Sequence, residues 1–299
     1  MKQEGNSLRA ILYALVGNFT IAVIKYIVSV ISGSSAMLAE AIHSLADTTN
    51  QVFLLIGRKR SGKTADEIHS LGYGKEEYFW GFLVAVLLFF LGGCFSIYEG
   101  IHKLHNPEPI DNYIYIFIVL VISLLIEIKS FSVALTEFRK TTKLGLIRSL
   151  RESTDTNIFV ILVEDFSALM GLVVVLISSL LSLIYPIFDV IGTFMVGCLL
   201  ITMSYFLSNE LRNLMIGESI PRDTKNTVRS IVLKHRAVRH INNIRSMYIG
   251  RNDFILLISV DILDTERGSE IESMTEQIRY DILRHYPHAK YIYIDVNEE

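Results

Sequence analysis

The feature of this sequence that most constrains its fold is a succession of long apolar stretches before residue 217. A helix needs about 20 largely apolar residues to cross the roughly 30 Å of hydrocarbon in a bilayer. Six stretches have that length, and they predict membrane helices over residues 8–31, 36–56, 78–98, 113–135, 158–184 and 187–207. We therefore expect a membrane-embedded, all-α bundle of six transmembrane helices.

Residues 217–299 have a different composition, typical of a small soluble domain. Patterns of period 3.6 and of alternating β-branched residues predict a helix, two strands, a helix and a strand over 224–235, 244–249, 254–263, 270–285 and 291–296. This αββαβ order predicts an α+β domain of the ferredoxin-like type. We thus expect a transmembrane domain over residues 1–216 and a cytoplasmic dimerisation domain over residues 217–299.

The lysines and arginines of the loops predict how the chain is oriented. Short cytoplasmic loops of membrane proteins carry an excess of these residues. Here they cluster after the second and fourth helices, at Arg58, Lys59, Arg60, Lys63 and Lys75 and at Arg139, Lys140, Lys143, Arg148 and Arg151. With an even number of spans, both termini are then cytoplasmic. We interpret the first apolar stretch as a retained helix, because no cleavage-site pattern follows it.

Composition excludes several classes of protein. The net charge of −3 provides no basic surface for nucleic acid. Cys94 and Cys198 both lie inside apolar runs, so no disulfide framework is indicated. The sequence contains neither H-E-x-x-H nor a recognisable serine or cysteine nucleophile with its base, and we expect no enzymatic activity.

Ionisable residues inside the predicted helices point to a functional site. Such groups cost at least about 2.5 kcal/mol each at the bilayer centre. His43 and Asp47 are four residues apart in the second helix and share one face, with Glu40 one turn earlier. The fifth helix carries Glu164 and Asp165, whose side chains point about 100° apart. We therefore expect only one of the two to face the second helix squarely.

An imidazole with carboxylates makes a tetrahedral nitrogen and oxygen site. That ligand set suits Zn²⁺ best, is compatible with Mn²⁺, Fe²⁺ and Co²⁺, and lacks the thiolates that Cu(I) prefers. The alternative is that His43 is a structural buried histidine, which the accompanying carboxylates disfavour. For the remaining buried charges Lys25, Glu127 and Lys129 we expect intramembrane ion pairs. For Asp189 we expect a cap at the start of the sixth helix.

Several motifs of the chain resemble those of the cation diffusion facilitator family, in its zinc-transporter-like form. They are Gly17-Asn18 with Lys25, the turn Ser32-Gly33-Ser34, the H-S-x-x-D of residues 43–47, and the segment H-S-L-G-Y-G-K-E of residues 69–76. The resemblance covers nearly the whole chain. It extends to the branch related to the ninth mammalian zinc transporter, which shares the Glu164-Asp165 pair.

The resemblance implies a homodimeric antiporter that exports a divalent metal ion in exchange for protons. In the family, the metal is held by [HD]-x-x-x-D on the second and on the fifth helix. His43 and Asp47 fit the first of these motifs. On the fifth helix Asp165 takes the second ligand position, whereas Ile161 occupies the first, and Glu164 is the obvious substitute.

The family also has a metal site in the loop between the second and third helices. Asp66 and His69 match two of its ligands, but Tyr73 stands in the third place. A solvated loop with no metal is an equally good interpretation.

Two features of the family concern its cytoplasmic domain. At the positions of its metal ligands this chain has Asn242, Ser259 and Ile294, so we expect that metal site to be absent. Lys75 and Glu218 match positions of an interlocking charge pair at the dimer seam.

The function expected from the sequence is a zinc/proton antiporter of the plasma, or inner, membrane that exports metal by alternating access. Zn²⁺ is the expected substrate, with Mn²⁺, Fe²⁺, Co²⁺ and Cd²⁺ as further candidates, and protons, the lipid bilayer and a second copy of the chain as partners. The alternatives are a manganese, iron or cobalt exporter of the same family, a membrane-anchored metal sensor, and a passive channel.

Overall fold

Long helices dominate the chain up to residue 216. The computed structural model describes residues 2–105, 110–141, 156–264 and 267–297, and for residues 2–14, 137–141 and 156–159 the helical backbone alone. The helices are α1 (Lys2–Ser32), α2 (Ser35–Ser61), α3 (Glu76–Leu87), α4 (Phe95–His105), α5 (Tyr113–Thr141), α6 (Thr156–Ser182) and α7 (Ile187–Ile216). A π-helical segment, Leu88–Cys94, joins α3 to α4 without a break. The side chains of the basic cluster from Arg139 to Arg151 lie outside the described residues.

Five of these helical stretches are long and apolar enough to cross a membrane. They are Leu15–Ser32, Glu76–His105, Tyr113–Thr136, Val160–Ser182 and Ile187–Ile216. The predicted second span forms a helix, α2, but does not reach the same apolarity, because its middle turns carry carboxylates, an imidazole and amides. A six-span bundle therefore stays a prediction, with five candidate spans by length and composition among the described residues.

Helix α2 is packed at two levels against α6. One apolar cluster contains the first turn of α2 together with Leu172 and Val175 of α6. A second contains Leu54, near the other end of α2, together with Val160 and Val163 of α6. Inside a bilayer such contacts act through van der Waals packing rather than through water exclusion. Between the two clusters, α2 and α6 face each other with polar side chains.

Asp189 fixes the start of α2. Its carboxylate accepts hydrogen bonds from the hydroxyl of Ser34 at 2.6 Å, and from the backbone N–H and hydroxyl of Ser35 at 2.9 and 2.8 Å. The expectation that Asp189 caps its own helix is therefore wrong, because its oxygens are committed to α2. Gly33, with φ of +67°, provides the left-handed turn that brings the chain from α1 into α2.

The C-terminal residues form a three-stranded sheet and two helices, α8 (Arg222–Val232) and α9 (Gly268–His285). The strands are β1 (Val238–Tyr248), β2 (Phe254–Ile262) and β3 (Ala289–Val296), in the order β1-β2-β3. Strands β1 and β2 are antiparallel, and β2 and β3 are parallel across α9. The element order agrees with the predicted αββαβ, although β1 begins six residues before its predicted start at residue 244. Membership of the ferredoxin-like type stays a prediction.

The C-terminal core lies where the two helices cover the sheet. Alternating positions of β2, among them Leu256 and Ile258, pack against Val228 of α8 and Ile278 of α9. The strongly amphipathic α8 and α9 bury one face each in this cluster, which explains why the segment after residue 217 reads as a soluble domain.

The loop between α2 and α3 packs with this C-terminal domain. The contacts divide the chain into one compact unit of residues 1–57 and 79–211, and a second of residues 58–78 and 212–299. Within the second unit, Tyr78 donates a hydrogen bond to the carbonyl of Gly250 at 2.5 Å. Gly74 lies so close to the backbone of Ile249 that a Cβ atom there would overlap its carbonyl oxygen. By its contacts the loop thus belongs to the unit that contains the C-terminal residues, and the predicted boundary between residues 216 and 217 stays a prediction.

Candidate metal centre

A row of polar side chains lies along one face of α2. Glu40, His43, Asp47 and Asn50 follow one another at spacings of three, four and three residues, which stacks them on one face of a helix. Glu40 and Asn50 have no exposed surface and His43 has 1%. Ala41 and Ala46, at two of the positions between them, favour the helix and let its neighbours approach closely.

His43 and Asp47 form the pair that the sequence predicted. The Nε2 atom of His43 lies 3.6 Å from Oδ2 of Asp47. Neither ring nitrogen of His43, nor Oδ1 of Asp47, has a hydrogen-bond partner among the described residues. An unsatisfied buried polar atom costs about 1–3 kcal/mol. Three such atoms on adjacent turns indicate that this pair is arranged to bind something other than the protein itself.

The two consecutive carboxylates of α6 point to different helices. Oε1 of Glu164 accepts a hydrogen bond from the Nδ2 atom of Asn50 on α2 at 2.5 Å. Oδ2 of Asp165 accepts one from the hydroxyl of Ser130 on α5 at 2.9 Å. The structure thus directs Glu164 at α2 and Asp165 at α5, in line with the expectation that only one of the two faces the second helix, although the family pattern gives Asp165 a ligand position. Both remain close enough to Asp47 for the three charges to act on one another.

These side chains meet in pairs rather than as one complete cluster. Within residues 2–105, 110–141, 156–264 and 267–297, no three His, Cys, Asp or Glu side chains are placed to hold a single metal ion. His43 contacts Asp47, and Glu164 contacts Asn50, which has no charge and whose Oδ1 atom is free of any described partner. Metal ligation by His43, Asp47, Glu164 and Asp165 therefore stays a prediction.

Position 161 does not contribute to this region. The family's first ligand position on the fifth helix is occupied by Ile161, whose side chain is 39% exposed on the outside of the bundle. Glu164, by contrast, is 6% exposed and is bonded to α2. The side-chain directions on α6 thus support Glu164 as the substitute.

Lys25 of α1 neutralises Glu40. Its Nζ atom lies 3.0 Å from Oε2 of Glu40 and donates to the hydroxyl of Ser44 at 2.8 Å. The other carboxylate oxygen of Glu40 has no described partner and lies against Gly171 of α6, where a Cβ atom would be 2.6 Å away. An ion pair was expected for Lys25, and Glu40 is its partner.

For Glu127 and Lys129 the expected ion pairs stay a prediction. Among the described residues, neither Glu127 nor Lys129 makes an ion pair, since Lys129 is exposed on the outside of α5. The charge of Glu127 instead acts on Asp47 and Asp165.

Asp66 organises the loop between α2 and α3. Its carboxylate accepts hydrogen bonds from the hydroxyl of Tyr73 at 2.6 Å and from the backbone N–H groups of Ile68 and His69 at 3.1 and 2.7 Å. The Tyr73 hydroxyl, and then the backbone N–H of His69, hold the pKa of Asp66 below its usual value. Nδ1 of His69 lies 3.7 Å from Asp66. The two predicted loop ligands are thus adjacent, but the carboxylate is already engaged, and the loop metal site stays a prediction.

Lys75 and Glu218 are both partly buried. Lys75 donates to the carbonyl of Met215 at 3.2 Å. Burial lowers the pKa of Lys75 and raises the pKa of Glu218. No ion pair joins these two described residues within one chain, so a pair across a dimer seam stays a prediction.

The C-terminal positions that correspond to family metal ligands carry a network of neutral groups. The amide of Asn242 donates to the Oδ1 and backbone oxygens of Asn297 at 3.1 and 3.2 Å, and the hydroxyl of Ser259 donates to the same Oδ1 at 2.8 Å. Amide and hydroxyl groups hold one another here by hydrogen bonds. Ile294, at the third position, has no donor atom in its side chain.

Asn50 was missing from the sequence-based site. An asparagine in a polar helix face carries no charge and matches no motif, so neither criterion used to choose the site residues selects Asn50. Its spacing of three residues from Asp47 was the available signal, since that spacing places both on one face.

Comparison with known proteins places these residues in a recognised domain. The family model described as the cation efflux transmembrane domain matches residues 11–215. A proton-coupled zinc antiporter of Xenopus laevis, SLC30A9, labelled mitochondrial, is 32% identical over 242 residues, which cover 79% of this chain and 43% of that protein. Metal tolerance protein C4 of Arabidopsis thaliana is 30% identical over 263 residues, covering 86% of this chain and 58% of that protein.

A bacterial relative matches from end to end at lower identity. The manganese efflux system protein MneP of Bacillus subtilis is 21% identical over 299 residues, covering 99% of this chain and 97% of its own length. The chain spans less than two thirds of the Xenopus and Arabidopsis relatives, so these comparisons concern a shared part of those longer proteins.

Proposed function

We propose, from the premise that this chain belongs to the cation efflux family of membrane transporters, that it exports a divalent metal ion, zinc ahead of other metals, in exchange for protons. Its five apolar helices make it an integral membrane protein. Transport, rather than an enzymatic reaction, is the activity of this family.

The observation that carries the proposal is the pair formed by the buried His43 and the partly buried Asp47, with its unpaired atoms. Metal ligands must be deprotonated to bind, so a cation that arrives at this pair displaces protons and protons that return release the cation. Cation and protons are then exchanged across the membrane if the His43/Asp47 pair is open to only one side of the membrane at a time. Glu164 and Asp165 supply carboxylates from α6 to the same region.

Zinc is proposed as the substrate because the ligands are one imidazole and several carboxylates. Zn²⁺ accepts this combination in tetrahedral geometry. The likeness to SLC30A9, a zinc antiporter, supports the same choice. Manganese is the second candidate, because carboxylate oxygens suit Mn²⁺ and because MneP, a manganese efflux protein, matches the chain over its full length. Iron, cobalt and cadmium are further substrates to include in a competition.

We further propose a homodimer in the plasma membrane with both termini in the cytoplasm. Lys75 and Glu218 support the dimer, since both are partly buried charges that make no ion pair with the described residues of their own chain. The basic residues at the end of α2 support the cytoplasmic placement of that end.

Metal uptake into proteoliposomes with an imposed pH gradient tests the proposal. Vesicles with an acidic interior should accumulate zinc against its gradient, and a protonophore should stop the accumulation. Competing Zn²⁺, Mn²⁺, Fe²⁺, Co²⁺ and Cd²⁺ at two pH values ranks the substrates. Zinc uptake that only equilibrates, with or without the pH gradient, would show a channel and refute the exchange mechanism.

A further inference from the structure

Asn50 is a buried polar residue of α2 for which the family site has no position. It has no exposed surface and lies three residues after Asp47, on the same face of the helix. Its Nδ2 atom donates to Glu164 at 2.5 Å across 114 residues of sequence, while its Oδ1 atom has no described partner.

The unpaired oxygen of Asn50 needs a physical reason. Burying an unsatisfied carbonyl oxygen costs about 1–3 kcal/mol. Leucine has a similar shape and would fill the site without that cost. The amide is therefore explained by what it holds, which is the Glu164 carboxylate, on the helix face that also carries the His43/Asp47 pair with its unpaired atoms.

Charge balance at membrane depth favours an amide over another carboxylate. A divalent cation bound by Asp47 and Glu164, both ionised, with a neutral His43, forms a complex of zero net charge. A neutral fourth oxygen keeps that balance, whereas a third carboxylate would leave a net negative charge in a medium where charge is costly. Asp165, the remaining carboxylate, is directed at Ser130 instead.

We propose that Asn50 is a positioning residue of the metal site, which holds the Glu164 carboxylate against α2 with its N–H group and offers its free Oδ1 oxygen to the same cation. This inference rests on the proposed function. It gives Asn50 the place of the fourth oxygen, because Asp165 is directed at Ser130 of α5.

The energetic consequence is a coupling between Asn50 and Glu164. Partners that orient metal ligands typically change metal affinity by about 10- to 100-fold when they are removed. Groups that act together also give effects that do not add. Loss of Asn50 should therefore matter much less once Glu164 has already lost its charge.

A double-mutant cycle on the full-length protein in detergent tests this coupling. Zinc affinity is measured by equilibrium competition with a chromophoric chelator for wild type, Asn50→Leu, Glu164→Gln and the double variant, with thermal unfolding of each. Thr49→Val is the matched control, because among the described residues the Thr49 hydroxyl donates to the carbonyl of Leu45 in its own helix. If Asn50→Leu does not fold, Asn50→Ser, which is too short to hold Glu164, takes its place in the cycle.

We expect the Asn50 variant to bind zinc about 10- to 100-fold more weakly. Thr49→Val should bind zinc as wild type does. In the double variant, the fold-loss of zinc affinity should be smaller than the product of the two single fold-losses. Unchanged affinity in the Asn50 variant, or losses that multiply in full, would overturn the inference while leaving the proposed transport intact. A wild-type protein that binds no zinc would instead refute the proposed function.

Discussion

Glu164 and Asp165 are chemically similar neighbours whose surroundings differ. Glu164 is 6% exposed and is held by an amide on α2, whereas Asp165 is held by a hydroxyl on α5. The difference follows from the helix itself, because consecutive side chains are separated by about 100° around its axis. A sequence motif assigns metal ligands by their spacing along the chain. The direction of each side chain, however, decides which carboxylate reaches the neighbouring helix.

Replacing Glu164 should therefore weaken metal binding more than replacing Ile161, which occupies the family's first ligand position on this helix. Glu164→Gln removes the charge that faces α2, and we expect at least about a tenfold loss of zinc affinity, the lower end for groups that support a metal site. Ile161→Ala is the matched control on the same helix and should bind zinc as wild type does. Equilibrium zinc binding in detergent measures the zinc affinity of both variants. Equal losses of affinity would contradict the conclusion that Glu164, and not position 161, contributes to the site.

At the scale of elements, the position of α2 depends on a residue far away in the sequence. Asp189, in the first turn of α7, accepts three hydrogen bonds from Ser34 and Ser35, which begin α2. Its carboxylate is 1% exposed. These contacts fix the start of α2 against α7, and with it the position of His43 and Asp47 along the helical bundle.

Removal of the Asp189 carboxylate should destabilise the helical bundle. Asp189→Ala removes the acceptor of the Ser35 backbone N–H and of the Ser34 hydroxyl, at about 1–3 kcal/mol for each unsatisfied group, while the Ser35 hydroxyl keeps Thr193 as a partner at 2.9 Å. We expect a clearly lower midpoint of thermal unfolding in detergent, with the exposed Asp111→Ala as the control. A midpoint equal to that of wild type would show that α2 is anchored by other contacts.

Much of the element structure could be predicted from the sequence, for physical reasons. The length and apolarity of a membrane helix are local properties, and the periodicity of α9 and the alternation of β2 are local as well. The contacts of Asn50 with Glu164 and of Asp189 with Ser35 could not be predicted, because each joins residues more than 100 positions apart. The π-helical segment was also missed, since no simple residue pattern marks an i→i+5 turn.

At the scale of the whole molecule, the chain consists of two compact units, and the second includes the loop of residues 58–78. Gly74 and Tyr78 attach this loop to the segment after β1, through the close approach to Ile249 and the hydrogen bond to Gly250. The loop follows α2 directly in the chain. The C-terminal unit is therefore connected covalently, through this loop, to the helix that carries the proposed metal ligands.

A side chain at Gly74 should loosen this attachment. In Gly74→Ala the new Cβ atom would overlap the carbonyl oxygen of Ile249 and lie 2.8 Å from Cα of Gly250, and backbone atoms cannot move aside cheaply. We expect faster proteolysis of the loop by trypsin than in wild type. Gly62→Ala is the control in the same loop, because its nearest atom would be 3.7 Å away. Equal cleavage rates in the two variants would contradict the proposed packing.

The central claim is that the His43/Asp47 pair of α2 is the site through which metal crosses the membrane. Zinc flux driven by a pH gradient into proteoliposomes, compared between wild type, Asp47→Ala and the neighbouring Thr49→Val, tests it most directly. We expect Asp47→Ala to abolish the flux, because it removes one of the two atoms that face each other at 3.6 Å, and Thr49→Val to preserve it. Undiminished zinc flux in Asp47→Ala would show that the metal takes another path.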